Sequence, residues 1–567
     1  MRDLFQVLLK HFFDRFFDNE LVSRQGDMTA SLSKIAGVLA APGLLCFWMM
    51  PKYVVLALQP AARAEAGSLP DKLFFLTFSM AAMGFLTVLE WDALFPDRRD
   101  FTILIPLPIR LESVFVAKIV SLCGFVLLFT VAANAISTFV YPFVAMRPPV
   151  TPATIFGQMA SHAVAVLAGT CFMFFFFVAL QGLLMNFLSF RAFRRASTYV
   201  QLLSVFALLF MTLLLLDSSS LLHSPKYQHF LYYFPPVWFL GLYETLMHQP
   251  DPLPGSSALA IRALWMVIGA SLLAYVLSYK RHVKRSLESE DIFDVVPSRI
   301  TNWLCVFADR FVVPRPLEQA SFYFTAKTMF RSRKHWLYLS AYVGVGFALI
   351  LQGLMAAMSR HGNQSAGLPA PTLLSIPLIL SFFVLSGMRF VFTLPAELKA
   401  NWVFQLSEAD GRKECLSGVR KAMFVVGVLP LFAALLPFYI FLWGWATAGF
   451  HTFFDIVLSL LLIEVLLLKF HKIPFTCSYL PGKANITAYW FLYWLAFATY
   501  AYTMASVEIW ALREPIRMAG LYLLGGIAVA GAYFYRNRLL AEGFTLVFEE
   551  EPEPVVRTLN LSAPGSW

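Results

Sequence analysis

Charged residues are scarce in this sequence. Only 14% of its 567 residues are charged and 59% are hydrophobic, whereas soluble domains average about 25% charged and about 45–50% apolar residues. An apolar excess of this size is too large for one buried core, because single cores stop growing near about 250–300 residues. The composition therefore excludes a soluble protein and indicates that lipid surrounds much of the chain.

Cysteine is scarce too, and the motifs of metal and nucleotide sites do not occur. The six cysteines include no C-x-x-C pair and the ten histidines are scattered without ligand spacing, so neither a zinc site nor a redox site is indicated. The phosphate-binding sequence G-x-x-x-x-G-K-[ST] is missing, because Pro481-Gly482-Lys483-Ala484 lacks the first glycine and the magnesium-binding hydroxyl. We therefore expect no catalytic residues, metal or cofactor in this chain, and no enzyme activity.

Long apolar segments dominate what is present. A membrane-spanning helix needs about 20 mostly apolar residues, and the sequence predicts twelve such spans. Those of the first half lie at residues 36–58, 72–94, 114–143, 160–188, 199–217 and 257–279. Those of the second half lie at residues 336–358, 371–393, 420–446, 452–470, 486–508 and 516–535. The predicted fold class is an all-α polytopic membrane protein with about 12 transmembrane helices.

The two sets of spans follow one plan, which predicts an internal repeat. Each set has two spans, a longer charged connection, two more spans, a short basic loop and a closing pair. Because six is even, the halves would share one orientation and form a 6+6 parallel pseudo-repeat. The predicted domains are a first transmembrane half with an N-terminal amphipathic helix at 1–280, a cytoplasmic linker with a second amphipathic helix at 281–335, a second transmembrane half at 336–535 and an acidic cytoplasmic tail at 536–567.

The basic residues orient the predicted spans. If the N-terminus lies in the cytoplasm, only nine of the 44 Lys and Arg residues fall outside, namely Lys52, Arg63, Lys72, Arg147, Lys226, Arg262, Arg360, Arg513 and Arg517. Cytoplasmic loops carry the excess of Lys and Arg in membrane proteins, so both termini are predicted to be cytoplasmic in a multi-pass protein of the cytoplasmic (inner) membrane. The net charge of +10 is then a topology signal, and the expected contact is membrane lipid and not nucleic acid.

An amphipathic segment precedes each half. In the N-terminal segment, apolar residues recur at three- and four-residue spacing at Phe5, Leu8, Leu9, Phe12, Phe13, Phe16 and Phe17. In the second segment, Phe322, Phe324, Met329 and Phe330 accompany Lys327, Arg331, Arg333 and Lys334. We expect both segments to form helices that lie at the membrane interface.

The connections carry the most specific motifs. Between spans two and three lie Phe95-Pro-Asp-Arg-Arg-Asp100, Ile105-Pro-Leu-Pro-Ile-Arg110 and Val114-Phe-Val-Ala-Lys118, and before span six lies Phe234-Pro-Pro-Val-Trp-Phe-Leu-Gly-Leu242. These segments resemble the permeases of type-2 ABC transporters, and the similarity of plan covers most of the chain. The second half departs from the pattern, because its outer connection near 508–516 is short and lacks an aromatic-proline segment.

The resemblance implies two permease subunits fused in one chain. Such subunits have six spans, an amphipathic elbow helix and a cytoplasmic coupling helix that docks on a separate ATPase. It implies an exporter of a hydrophobic or lipid-like substrate, with ATP bound by the partner ATPase subunit, expected in two copies. The implied ATPase-coupling residues are Asp97, Arg98, Arg99, Asp100, Arg110, Glu397, Lys399 and Glu408, and the implied outer re-entrant segment contains Pro235, Pro236 and Trp238.

Polar residues inside the spans are further candidates, because ionisable groups at membrane depth are costly and often functional. Glu464 is the clearest, and Arg389 and Asn134 also lie within predicted spans. A single glutamate in a span more often forms an interhelical ion pair than carries protons. Asp455 lies nearer the outer end of the span that contains Glu464.

Other function classes stay open at this point. An ion-coupled secondary transporter of the major facilitator type also has six plus six spans and a charged motif between spans two and three. Asp97-Arg-Arg99 could be a remnant of that motif. The usual glycines of that motif are absent, and the plan of the ABC permeases explains the two amphipathic segments better. A polytopic membrane enzyme would need His, Asp or Glu residues that converge at one membrane face. A scaffold or assembly factor is the remaining alternative.

Overall fold

The computed structural model describes most of the chain, and its described part is helical. It describes residues 2–15, 36–37, 39–95, 111–146, 151–214, 222, 228–288, 308–359, 371–396, 408–468, 470, 473–476 and 486–541. No β-strand occurs within these ranges. The all-α class predicted from composition is therefore confirmed.

The chain divides into two compact units, which are described separately. Unit 1 is Met1–Asp294 and unit 2 is Val295–Trp567. The division falls inside the stretch 281–335 that the sequence predicts as a linker.

Unit 1 contains eight helices of more than one turn among its described residues. A 3₁₀ turn, Ala41–Leu44, leads directly into the second helix, and a single turn at Gln228–Leu231 precedes the seventh. The helices are α1 (Arg2–Arg15), α2 (Leu45–Ala57), α3 (Ala61–Leu89), α4 (Leu111–Ala145), α5 (Pro152–Phe187), α6 (Phe190–Leu213), α7 (Pro235–Leu246) and α8 (Ser256–Glu288).

Unit 2 has a similar run of helices, interrupted by π-helical turns. These turns are Met423–Val428, between α12 and α13, and Thr499–Thr503, between α14 and α15. The helices are α9 (Pro316–Arg331), α10 (Arg333–Ser359), α11 (Pro371–Val391), α12 (Glu408–Ala422), α13 (Leu429–Leu467), α14 (Ile486–Ala498), α15 (Met504–Leu512) and α16 (Pro515–Ala541).

Local sequence fixes where several of these helices begin. Before α5, the Thr151 hydroxyl accepts a hydrogen bond from the Thr154 N–H, and the Thr154 hydroxyl accepts one in return from the Thr151 N–H. Pro152 then occupies a first-turn position, where the lack of an N–H costs nothing. The Ser189 hydroxyl similarly accepts from the Ala192 N–H at the start of α6.

Nine helices within the described ranges are long and apolar enough to cross a membrane. They are Arg63–Leu89, Val116–Ala145, Pro152–Phe187, Ala196–Leu213, Ser256–Leu277, His335–Leu354, Pro371–Val391, Lys413–Leu467 and Pro515–Leu539. Most of the predicted spans coincide with one of these helices, as expected for a multi-pass membrane protein. Nine is nevertheless fewer than the twelve spans predicted from the sequence.

Three local features explain the difference in number. The first predicted span, 36–58, corresponds to a shorter apolar helix, Ala41–Ala57, with Pro51 inside it. The eleventh, 486–508, is divided between α14 and α15 by a π-helical turn. The ninth, 420–446, and all but the last three residues of the tenth, 452–470, lie within one 55-residue stretch, Lys413–Leu467.

This stretch reverses direction at Gly444. A continuous helix of its length would extend about 80 Å, far more than the roughly 30 Å of a bilayer's hydrocarbon core. Gly444 instead has φ 79° and ψ 171°, which no helical residue adopts. Tyr439 and His451 would be about 18 Å apart along a straight helix, yet their ring centroids are 4.7 Å apart.

The far ends of the two segments also meet, which shows that they lie antiparallel. Arg420 Nη1 is 3.0 Å from Glu464 Oε1, although the two residues are on opposite sides of Gly444 in the sequence. The segments before and after Gly444 therefore form a helical hairpin with almost no loop, as two separate spans require.

Replacing Gly444 with alanine tests this reversal. Positive φ with extended ψ is accessible essentially to glycine alone, so we expect Gly444→Ala to lower the free energy of unfolding by about 1–3 kcal/mol. Gly449→Ala is the matched control, because a Cβ at either position meets no atom within 4 Å and only Gly444 has a positive φ. The control is expected to be neutral or to gain up to about 1 kcal/mol. Denaturant titration in detergent micelles measures both, and equal effects would contradict the hairpin.

Candidate functional site

In unit 1 the N-terminal amphipathic helix packs on the start of α4. Leu8 and Phe12 of α1 form a buried cluster with Val114 and Ala117 of α4. Lys118 Nζ lies 5.0 Å from the centroid of the Phe12 ring, within the range of a cation–π interaction. The helix predicted to lie at the membrane interface is thus attached to the segment that follows the first charged connection.

In unit 2 the second amphipathic helix packs in the same way on α12. The Ser321 hydroxyl of α9 donates a hydrogen bond to the Cys415 carbonyl at 2.7 Å, and Lys421 Nζ is 2.7 Å from Glu318 Oε1. A Cβ on Gly418 would lie 2.5 Å from the Glu318 carbonyl oxygen, so the lack of a side chain allows this close approach. α12 is the helix that follows the second charged connection, and the two units share this arrangement.

The predicted coupling residues themselves lie almost entirely outside the described residues. This holds for Asp97, Arg98, Arg99, Asp100, Arg110, Glu397 and Lys399. Glu408 is the first residue of α12, so this candidate stands at the point where the second connection meets α12.

The predicted re-entrant segment forms a short, buried helix in unit 1. Pro235 and Pro236 open α7, and Trp238 Nε1 donates a hydrogen bond to the Tyr232 carbonyl at 2.7 Å. α7 has 12 residues, about 18 Å of helix, which is too short to cross a bilayer.

An ion pair holds α7 against α3. Lys72 Nζ lies 2.7 Å from Glu244 Oε1, and their side chains are 10% and 3% exposed. Next to Lys72 on α3, the Asp71 carboxylate accepts hydrogen bonds from Lys52 at 2.6 Å and from the Tyr53 hydroxyl at 2.8 Å. Two neighbouring residues of α3 therefore connect this helix to α2 and to α7, and the sequence analysis did not predict these pairs.

Asn134 has a local role in unit 1. Its Nδ2 donates to the Thr130 carbonyl one turn earlier, at 2.9 Å, and its Oδ1 accepts a hydrogen bond from the Ser79 hydroxyl of α3. Asn134 therefore links α4 to α3.

Glu464 lies between two arginines of unit 2. Its Oε1 is 3.0 Å from Arg420 Nη1 and its Oε2 is 3.1 Å from Arg536 Nη1. The Tyr533 ring contacts both guanidinium groups, with centroid distances of 4.9 Å to Arg420 and 5.7 Å to Arg536. This carboxylate therefore joins α12, α13 and α16 as an interhelical ion pair.

Arg389, the third polar candidate of the spans, uses different partners. Its Nε donates a hydrogen bond to the Leu466 carbonyl at 3.1 Å, and its Cζ lies 4.3 Å from the Phe470 ring centroid. Arg389 of α11 therefore packs against the helix that carries Glu464, but Glu464 is paired with other arginines.

A cluster that the sequence analysis did not recognise lies nearer Gly444 on the arm of the hairpin that also carries Glu464. One donor atom from each of His451, Asp455 and Glu508 lies within 4.8 Å of the other two. His451 Nδ1 is 2.8 Å from Glu508 Oε1, and His451 Nε2 is 3.3 Å from Asp455 Oδ2. All three side chains are completely buried.

Part of this cluster was visible in the sequence. His451 and Asp455 are four residues apart, which places them on one face of a helix. Glu508 comes from α15, and its approach depends on how the helices pack. The sequence analysis considered the spacing of the histidines alone and did not combine His451 with Asp455.

Removing the Glu464 carboxylate tests its role as an ion pair. We expect Glu464→Gln to lower the free energy of unfolding by about 3–5 kcal/mol, because it leaves the Arg536 guanidinium buried without a counter-ion. Glu514→Gln is the control, since the Glu514 side chain is 55% exposed in its pair with Arg517, and such surface pairs contribute at most about 1 kcal/mol. Unfolding in detergent measures both variants, and a loss no larger than that of the control would count against this role.

Comparison with known proteins adds no identification. No protein-family model, no curated protein and no solved structure matches this chain. Function therefore has to be inferred from the residues and geometry of the chain itself.

Proposed function

We propose that this chain is the membrane-spanning permease of an ATP-driven exporter of the ABC type. In this proposal two six-span halves are fused, both termini are cytoplasmic, and a separate cytoplasmic ATPase, in two copies, supplies the energy. The substrate is hydrophobic or lipid-like and crosses the cytoplasmic membrane by alternating access. The substrate class, the direction of transport and the partner follow from the resemblance of the connecting segments to type-2 ABC permeases.

One observation carries the proposal. In each unit an amphipathic helix packs against the helix that follows a charged connection, through Phe12 and Lys118 in unit 1 and through Glu318 and Lys421 in unit 2. Transmitting a nucleotide-driven motion needs a rigid element at the membrane surface that is attached to the spans. The two pairs of helices supply that attachment beside the segments where a partner would dock.

The short helix α7 supports the proposal that unit 1 is one half of an ABC-type permease. It is buried, opens with Pro235 and Pro236, and ends near Glu244, whose ion pair with Lys72 fixes it to α3. Unit 2 has no such helix among its described residues, because only Arg513 and Glu514 separate α15 from α16. The two halves are therefore proposed to differ at the outer face while sharing their attachment to the ATPase.

A second candidate has one observation in its favour. An ion-coupled secondary transporter of the major facilitator type needs ionisable groups within the membrane, and His451, Asp455 and Glu508 form such a group. The two candidates differ in energy source. In proteoliposomes, transport that requires ATP and a copurified ATPase supports the exporter, whereas transport driven by an ion gradient without ATP supports the secondary transporter.

Purification from the native host provides the first test of the proposal. We expect an ATPase chain to copurify with this chain in mild detergent, because a permease without the phosphate-binding motif depends on a partner for hydrolysis. Mass spectrometry of the purified complex identifies the partner by its phosphate-binding loop. Repeated recovery of the chain without any ATPase would overturn the proposal.

Charge reversal in the first connection tests coupling directly. We expect the double variant Asp97→Lys, Asp100→Lys to lower transport per ATP hydrolysed by about 5- to 150-fold, the usual range of coupling between two sites, while the chain still inserts and folds. The matched control is Glu549→Lys, Glu550→Lys in the tail, which changes the charge equally on the same proposed side. Normal coupling in the first variant, or equal loss in both, would contradict the assignment.

A further inference from the structure

The buried cluster of His451, Asp455 and Glu508 has no role in the proposed ATP-driven exporter. His451 and Asp455 lie in α13, shortly after the reversal at Gly444, and Glu508 lies four residues before the end of α15. At 1.5 Å per residue, Glu508 lies about 6 Å from the end of α15, while His451 and Asp455 lie about 10 Å and about 16 Å from Gly444. All three side chains are completely buried, so protein encloses the cluster near these helix ends.

Charge within the cluster is not balanced by the residues around it. Two carboxylates face one imidazole, and the imidazole carries at most one positive charge. In the described part of unit 2, arginine residues form ion pairs with acidic residues outside the cluster. Arg420 and Arg536 contact Glu464, and Arg517 contacts Glu514. Isolated carboxylates in an apolar interior are strongly disfavoured unless they are paired or coordinate a metal.

Hydrogen bonding does not satisfy the cluster either. Among the residues that the structure describes, both oxygens of Asp455, Oε2 of Glu508 and Nε2 of His451 have no hydrogen-bond partner. The 3.3 Å approach of His451 Nε2 to Asp455 Oδ2 is thus close without having hydrogen-bond geometry. Buried polar atoms are nearly always satisfied in folded proteins, so such a concentration of unsatisfied atoms calls for an explanation such as an ion.

We propose that His451, Asp455 and Glu508 bind a divalent transition-metal ion, with Zn²⁺ as the best fit. One nitrogen and two carboxylate oxygens are a ligand set that Zn²⁺ accepts, and bonds of about 2.0–2.2 Å place tetrahedral ligands about 3.3 Å apart. The observed donor separations, all within 4.8 Å, are near that value. A doubly charged ion beside a neutral imidazole balances the two carboxylates.

The surroundings of His451 are suited to a ligand. Its ring lies 4.7 Å from the Tyr439 ring and 5.5 Å from the Trp443 ring, centroid to centroid. His451 Nδ1 has Glu508 Oε1 as its hydrogen-bond partner at 2.8 Å, and a hydrogen bond at one ring nitrogen is usual for metal-binding histidines. Nε2, which has no hydrogen-bond partner among the described residues, is left to bind the ion. The site stands independently of the transport mechanism proposed above.

A buried histidine of unit 1 provides a matched control. His162 is also fully buried and lies beside a tyrosine, with 5.7 Å between its ring centroid and that of Tyr141. Its hydrogen-bond partner is the Ser137 hydroxyl, at 3.2 Å. His162 therefore shares the burial and aromatic contact of His451 but has a hydroxyl where His451 has carboxylates.

Zinc titration of the purified full chain tests the proposal. The chain in detergent is treated with a chelator, desalted and titrated with Zn²⁺ by calorimetry, and metal retained after gel filtration is counted by mass spectrometry. We expect about one Zn²⁺ per chain and a higher melting temperature with the ion. Asp455→Asn and Glu508→Gln should each weaken Zn²⁺ binding by at least about 10- to 100-fold, while His162→Gln should bind like the unmodified chain.

Each outcome decides for or against the site. The proposal is overturned if the unmodified chain does not bind Zn²⁺, or if Asp455→Asn and Glu508→Gln bind Zn²⁺ as tightly as the unmodified chain does. The cluster would then be neutralised by protons. If a variant does not fold, X-ray absorption at the zinc edge of the unmodified chain still decides. One imidazole and additional oxygen ligands at about 2.0–2.2 Å support the site, and a shell containing sulfur or several imidazoles contradicts it.

Discussion

Within lipid, a charged or polar group has no water to pair with and must find its partner inside the protein. This constraint determines which helices of the chain are joined. Glu464 forms ion pairs with arginines from α12 and α16, and Glu244 forms one with a lysine from α3. Each pair connects elements that are far apart in the sequence, so the costly charges also specify the packing. Breaking a pair therefore affects the arrangement of helices as well as the stability.

The sequence predicted the helices well because lipid imposes a simple length rule. Spans such as 371–393 and 516–535 coincide with α11 and α16 since about 20 apolar residues suffice to cross the hydrocarbon core. The rule works less well where a span is short or interrupted. Ala41–Ala57 and the π-helical turn at Thr499–Thr503 are examples, and in both cases the local geometry departs from a regular helix.

The sites were harder to predict, because they depend on contacts between spans. The ion pairs of Glu464 could not be predicted without knowing that α12, α13 and α16 are neighbours. A hydropathy profile carries no information about which helices are neighbours. The contact of Glu508 with His451 also depends on which helices are neighbours, so the sequence alone could not predict it. The four-residue spacing of His451 and Asp455, by contrast, is visible in the sequence. The coupling segments rest on sequence similarity, since of their predicted residues only Glu408 lies in a described element.

The hairpin at Gly444 has a consequence for how the chain enters the bilayer. Its two arms are connected by one non-helical residue, so no hydrophilic loop separates them. Aromatic side chains such as Phe441 and Trp445 are exposed around the reversal, at 88% and 79%, and suit the boundary between acyl chains and headgroups. This connection is too short for one arm to cross the membrane while the other arm remains in water. The two must be inserted as one step, and Asp455 enters the bilayer on the second arm.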